Sequence, residues 1–283
     1  MSHNEKRTVW WKEGIAAMIT GVSYGVTNVI VGHPLDTIKT KMQVVKDYNA
    51  KSMIQSAIKL LKAEGLIGFY RGALPPLIGS SIFRATQFAV FEAIYTKLDN
   101  HSSFTWKIPF TFGLEPRIII GGIAAGTARS IIECPFEYSK VQRQTGQTWK
   151  LTRMYQGFFS LWMRNANLLL IYFSLIDLFR RNTNAYGYKY SLFFMNGLCA
   201  SFGFLCVWPI EIAKNQIQSV KNNEIGNLSI RAIIKERVNK NGVVTGLYRG
   251  CVPGLLSVFI RNGAAILVML KGQRLLTTYG FRD

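Results

Sequence analysis

Apolar residues fall in long runs along this chain rather than in short periodic stripes, and two windows set the scale. Residues 14–32 and 190–210 carry no charged side chain, and each is about as long as a helix must be to cross bilayer hydrocarbon, roughly 20 residues. The other apolar runs are interrupted by arginine, which hides them from a simple hydropathy reading. Together the runs predict an all-α membrane protein with six transmembrane helices, at about 13–44, 73–97, 116–145, 157–181, 189–219 and 250–275, and with both termini on one side. Trp10 and Trp11, just before the first run, read as an interfacial anchor.

The runs are organised by a repeat. HPLDTIKTKMQ (33–43) returns as CPFEYSKVQRQ (134–144) and as WPIEIAKNQIQ (208–218). Each copy has a proline, then an acid, a lysine and a glutamine at fixed offsets. The three sets are Pro34, Asp36, Lys39, Gln43; Pro135, Glu137, Lys140, Gln144; and Pro209, Glu211, Lys214, Gln218. A proline inside a helix removes a backbone bond and kinks the axis. The acid and lysine beyond it lie one turn apart on one face. Upstream of each proline, small residues recur in register as Gly21 and Gly25, Gly122 and Gly126, and Asn196 and Ala200, a spacing that lets a neighbouring helix approach closely. Every even-numbered run opens after an aromatic, polar, glycine step: Tyr70, Arg71, Gly72; Tyr155, Gln156, Gly157; and Tyr248, Arg249, Gly250. The chain therefore divides into repeats 8–103, 112–186 and 187–283 within a single domain, 1–283. Between motif and step, Met53, Ile54, Ala57, Ile58 and Leu61 alternate with Lys51, Lys59 and Lys62 as in a short interfacial helix. Ile230, Ile233, Ile234 and Val238 repeat that pattern in repeat three, whereas repeat two has too few residues for it.

Charge refines the topology. The net charge is +19, but the bases form no arm or reading helix, so nucleic acid is not an expected partner. They sit in connections instead: seven Lys/Arg against two acids over 37–71, seven against two over 214–249, four against none over 139–156, but three against two over 97–117. That bias places the post-motif connections on the positive-inside face and favours anionic lipid there. Cys134, Cys199, Cys206 and Cys251 lack CxxC spacing and read as small hydrophobes, and the three histidines offer no metal cluster. No Ser/His/Asp or Cys/His arrangement supports an enzyme, so no catalytic residue, metal or cofactor is expected. The start, MSHNEKRTVWWKEG, lacks a secretory apolar core.

With proline, acid and lysine ending the odd runs of three tandem repeats, the chain resembles the mitochondrial carrier family over nearly its whole length. The resemblance implies a multi-pass protein of the mitochondrial inner membrane, with six helices around a pseudo-threefold axis and short matrix-side interfacial helices. It implies a matrix gate pairing Asp36 with Lys140, Glu137 with Lys214, and Glu211 with Lys39, braced by Gln43, Gln144 and Gln218. Charges inside a span cost on the order of 3 kcal/mol each and are functional by default. Arg84, Arg164 and Arg261, one in each even run, are accordingly the expected substrate ligands, with Ser81, Asn165 and Ser257 as polar contacts. LWMRN (161–165) and LPPLIGSSIFRATQF (74–88) are similar to the 2-oxodicarboxylate carriers, and a guanidinium suits a carboxylate. The implied function is antiport of small anionic metabolites of the keto acid or dicarboxylate type by alternating access. At the outer end the family's acid and base pattern is met in part, by Glu92 and Tyr95, Asp177 and Arg180, and Arg274, implying the pairs Glu92–Arg180 and Asp177–Arg274. Gly72, Gly157 and Gly250 open helices on the basic face, where a helix N-terminus can hold a phosphate of cardiolipin or another acidic lipid. Two alternatives stand beside this reading. In one the fold is kept, transport is lost, and the chain serves as a structural subunit of a larger inner-membrane complex; in the other the solute is an amino acid, nucleotide or cofactor.

Overall fold

A computed structural model of the chain describes residues 9–44, 53–99, 102–109, 114–144, 151–183, 189–219, 229–242, 247–248 and 251–281. The side chains of Lys39, Gln43, Lys140, Gln144 and Gln218, and all of Arg249 and Gly250, lie outside the described residues. Long helices occur wherever the apolar runs predict them. These are α1 (Trp10–Val44), α4 (Leu74–Asp99), α6 (Pro116–Gln144), α7 (Phe158–Asn182), α8 (Lys189–Ser219) and α10 (Cys251–Thr278). Shorter helices are α2 (Met53–Glu64), α3 (Ile67–Tyr70), α5 (Ser102–Thr105) and α9 (Ile230–Asn241). Among the described residues, α1, α6, α7, α8 and α10 contain stretches both long and apolar enough to cross a membrane. Helix α4 has the length but is diluted by Ser80, Ser81, Arg84, Thr86, Gln87 and Glu92.

The six long helices close a ring in which α1 packs on α4, α4 on α6, α6 on α7, α7 on α8, α8 on α10 and α10 back on α1. Small residues set the close approaches. A Cβ on Gly21 would stand 2.7 Å from Ala85 Cα, and one on Gly25 2.5 Å from Ser81 Cα. The second repeat matches, with Gly126 2.6 Å from Ala166 Cα. The third departs from the expected register: Asn196 is a buried hydrogen-bonding residue, and the tight contact moves to Gly197, against Phe259, and Gly263, against Phe193. An amide in the first small position cannot sit flush on a partner backbone, so its neighbour takes over.

The prolines explain the tyrosines. Pro34 lacks the N–H that would bond the carbonyl four residues back, that of Ile30. The Tyr70 hydroxyl donates to that oxygen at 3.0 Å. In the second repeat Pro135 orphans the carbonyl of Ile131, and the Tyr155 hydroxyl donates to it at 3.3 Å. In repeats one and two the tyrosine at the head of the even helix thus caps the carbonyl that the proline of the preceding odd helix leaves free, and the glycine two residues on makes the turn: Gly72 and Gly157 have φ of +83° and +78°, which an L side chain resists.

Among the described residues, repeat two carries only a short 3-10 turn, Leu151–Arg153, where repeats one and three carry α2 and α9. On α2 the inward line is Ser56 and Leu60, the latter packed with Ile38 and Phe69, while Ile54, Ile58 and Leu61 face outward. That exposed apolar face fits a helix lying in the membrane interface.

Candidate functional site

At the motif end of the ring, Lys214 is the fulcrum. Its side chain is 1% exposed, with Nζ 2.9 Å from Glu137 and 3.2 Å from Glu211. The pair expected between Glu137 and Lys214 therefore forms. The pairs expected of Lys39 and Lys140, and the three glutamine braces, lie outside the described residues.

Two motif acids also engage the arginines of the even helices. Arg164 reaches from α7 to Glu211 at 2.5 Å, to Glu133 at 3.6 Å, and donates to Asn165 Oδ1 at 2.8 Å. Arg261 reaches from α10 to Asp36 at 3.2 Å and to Ser257 Oγ at 2.5 Å. Its guanidinium rests on Gly32, where a Cβ would lie 3.2 Å from Nε. Arg84 is different. Among the described residues no carboxylate lies within ion-pair distance of it; its guanidinium lies 5.2 Å from the Tyr24 ring centroid and donates to Asn262 Oδ1 at 3.3 Å. Ser81 bonds the carbonyl of Leu77 on its own helix at 2.7 Å and packs at the α1–α4 contact, rather than joining the arginine group.

The structure adds residues that the sequence reading passed over. Arg129 and Glu133, one turn apart on α6, form a two-pronged pair at 2.7 and 3.2 Å. Arg129 also donates to Gln87 at 2.7 Å, and Asn165 donates to Glu133 at 2.9 Å. Arg-x-x-x-Glu inside an apolar run is the sequence signature of such a pair, and the cost of burying either charge alone marked both. A second, uncharged group links α1, α7, α8 and α10. Tyr24 donates to Asn262 Oδ1 at 2.7 Å, Tyr172 to Asn196 Oδ1 at 2.7 Å, and Asn196 to the Asn262 carbonyl at 2.6 Å.

Toward the other end of the ring, aromatics fill the interior. Phe91 stacks on Phe173 at 3.7 Å between centroids, and Phe88 meets Phe173 edge-on. A small cavity of about 80 Å³ remains, bordered by Glu92, Tyr95, Asp177, Arg180 and Gln273 among others. Glu92 and Arg180, expected to pair, border the same cavity. The expected Asp177–Arg274 pair is not made. Asp177 instead binds Arg181 at 2.6 Å, and Arg181 reaches Glu115 at 2.5 Å. Helical register is the reason, for Gln273 takes the inward position on α10 and Arg274 beside it is exposed. Arg117 completes a network with Asp99 and Glu115, lying 4.2 Å over the Tyr95 ring. These ion pairs join α4, α6 and α7 without α10.

Comparison with known proteins gives the wider setting. The profile described as "Mitochondrial carrier protein" matches residues 11–102 and 189–280, well over half of the chain, and leaves the middle repeat unmatched. Mitochondrial ornithine transporter 1 of Schizosaccharomyces pombe is 28% identical over 70% of this chain and 73% of its own. The human mitochondrial 2-oxodicarboxylate carrier is 25% identical over 92% and 93%. Mitochondrial magnesium exporter 1 of Drosophila melanogaster is 26% identical over 88% and 91%. Three relatives at similar distance thus carry names with three different cargoes.

Proposed function

This chain belongs to the mitochondrial carrier family, and on that premise we propose that it exchanges small carboxylate-bearing metabolites across the mitochondrial inner membrane by alternating access. The observation that carries the reading is Arg84. A guanidinium in the middle of a membrane bundle, half-buried and held by a neutral amide and a tyrosine ring, is a cation with no acid paired to it among the described residues. Such a charge is expensive until an anion reaches it. Its planar fork suits a carboxylate, which it would bind through two parallel hydrogen bonds.

Arg164 and Arg261 supply the coupling. Each is bound to a motif acid, Glu211 or Asp36, at the end of the odd helices. A solute carboxylate that takes either guanidinium releases that acid from it and weakens the closure at that end. Binding energy is thereby converted into opening, which is what a carrier with a central site and two alternating gates requires. Asn165 holds Arg164 in place and Ser257 holds Arg261. Asp36, Lys39, Glu137, Lys140, Glu211 and Lys214 act as the matrix gate on this reading, and an acidic lipid phosphate docks at the turns made by Gly72 and Gly157 and, by the repeat of the sequence, at Gly250.

One observation favours a second reading, in which transport is lost and the chain serves a larger membrane complex: the outer acid Asp177 is committed to Arg181 on its own helix rather than to Arg274 of α10. The test is exchange by the purified protein in liposomes loaded with 2-oxoglutarate, against a panel of dicarboxylates, keto acids, amino acids and nucleotides. We expect carboxylate exchange that, at solute concentrations below saturation, Arg84→Ala and Arg164→Ala each reduce at least about tenfold, the loss of one charge-assisted pair. Absence of any exchange by a preparation that unfolds cooperatively would refute the carrier reading.

A further inference from the structure

Three hydrogen-bond donors from two helices converge on a single oxygen in the centre of the ring. Asn262 Oδ1 accepts from the Tyr24 hydroxyl at 2.7 Å, from Asn28 Nδ2 at 3.4 Å and from Arg84 Nη2 at 3.3 Å. The orientation of the amide is fixed on both sides, since Asn262 Nδ2 donates to the Val258 carbonyl at 2.7 Å. Tyr24 has its proton committed to Asn262, because its oxygen accepts from Asn196 Nδ2 at 3.4 Å. Tyr24, Asn28 and Asn262 are all buried. A cation and two neutral donors around one acceptor, with no acid among them, is the donor set of an oxyanion seat, and a neutral amide oxygen now fills it.

We propose that Tyr24, Asn28 and Arg84 form the seat for one carboxylate of the solute, and that the Asn262 side chain is a plug which the solute displaces. The proposal rests on the carrier reading above and adds to it two ligands from α1 and a competitor from α10. A carboxylate and a carboxamide have the same shape, so the seat accepts either without rebuilding. The carboxylate brings a full charge to Arg84 and forms charge-assisted hydrogen bonds, about twice as strong as neutral ones. The seat is distinct from the surroundings of Arg164 and Arg261, each of which already has a carboxylate beside it. Displacing Asn262 also breaks the hydrogen bonds that its side chain accepts from α1 and α4, so occupation of the seat is felt across the contact between repeats one and three.

The test uses the full chain in detergent and in liposomes, with 2-oxoglutarate as the probe. Asn262→Ala removes the plug and keeps the Asn196 bond to the main chain at position 262. We expect its 2-oxoglutarate-dependent thermal stabilisation to appear at a concentration about tenfold lower than in the parent protein. Asn262→Asp places a tethered carboxylate in the seat; we expect it to melt higher without ligand and to lose the response to 2-oxoglutarate. Tyr24→Phe is expected to weaken the response about fivefold, by removal of one donor. An Asn262→Ala protein with an unchanged or weaker ligand response, or an Asn262→Asp protein that responds like the parent, would overturn the seat. The thermal readout is independent of exchange. Carboxylate exchange that survives unchanged in Asn262→Asp refutes the seat and leaves the carrier reading standing, whereas ligand-dependent stabilisation with no exchange by any variant supports the seat and sinks the carrier reading.

Discussion

Replacing Tyr70 and Tyr155 by phenylalanine tests whether the even helices hold the kinks of the odd ones. Each hydroxyl donates to a carbonyl left without its helical partner by a proline, Ile30 beneath Pro34 and Ile131 beneath Pro135. Tyr→Phe removes one oxygen and leaves the ring, so packing is preserved and the orphaned carbonyl is exposed to its surroundings. A typical net hydrogen bond contributes about 1 kcal/mol, and stranding a buried acceptor costs about 1–3 kcal/mol. Polar contacts between membrane helices average about 0.6 kcal/mol when measured pairwise. Both tyrosines are roughly half exposed, at 43% and 48%, so water or headgroups share the lost bond and the lower end applies. That gives about 1 kcal/mol per site. The sites lie in different repeats with no shared partner, so the double variant should lose about 2 kcal/mol. For a chain of this size the midpoint moves about 2–4 °C per kcal/mol, or about 4–8 °C for the pair.

The protein carries its own reporter for this measurement. Cys134, Cys199 and Cys251 are buried free thiols, whereas Cys206 is exposed. In a Cys206→Ser background a thiol-reactive fluorophore reports only unfolding. Tyr190→Phe is the control, since that tyrosine is 83% exposed. A double variant that melts with the parent, or a control that falls as far, would refute the capping role of the hydroxyls.

Two further outcomes follow from the packing and the charges. Arg129→Ala leaves the buried Glu133 carboxylate without its two-pronged partner and should cost about 2–3 kcal/mol, while Arg129→Ala with Glu133→Ala should cost less than the single change; thermal melts of the two variants check the order. Gly25→Val should prevent folding into the ring or cost more than about 3 kcal/mol, because its Cβ would lie 2.5 Å from the Ser81 main chain; Val26→Ile, one position round the helix, is the tolerated comparison in the same expression and melting assay.

The long helices were legible because length and apolarity fix them together: α1, α4, α6, α7, α8 and α10 begin and end within about four residues of the runs that predict them. The triple motif was legible because proline, acid and lysine recur at identical offsets, and the structure brings Glu137 and Lys214 together as one of the three expected pairs. Arg129 and Glu133 were readable as an i, i+4 pair in a span, yet the motif proline two residues later drew the attention instead. Tyr24, Asn28, Asn196 and Asn262 carried no comparable signal. Each is an uncharged polar residue in an apolar run, and only closure of α1 against α10 brings positions 24 and 262 together. The outer network failed for a related reason. Glu115 and Arg117 read as charges of a connection, and whether Arg274 or Gln273 points inward depends on the rotation of α10 about its own axis, which a spacing rule does not supply.

The division of labour among the arginines limits how an exchange cycle can run. A buried charge stripped of its partner costs several kcal/mol, so no step can leave Glu211 or Glu133 bare, whereas Asp36 has a half-exposed side chain that water can serve. Glu211 satisfies this condition, since Lys214 stays 3.2 Å away when Arg164 turns to a solute. Glu133 keeps Arg129 in the same event. Exchange at Arg164 is therefore a swap of one carboxylate for another on the same guanidinium, with a free-energy change close to zero. A near-neutral swap binds weakly but moves the gate, whereas Arg84 gives up only an amide oxygen and gains a full counter-ion. On the proposed mechanism affinity is set at Arg84 and coupling at Arg164 and Arg261. Arg84→Ala should raise the half-saturation concentration, and Arg164→Ala should chiefly lower the maximal rate.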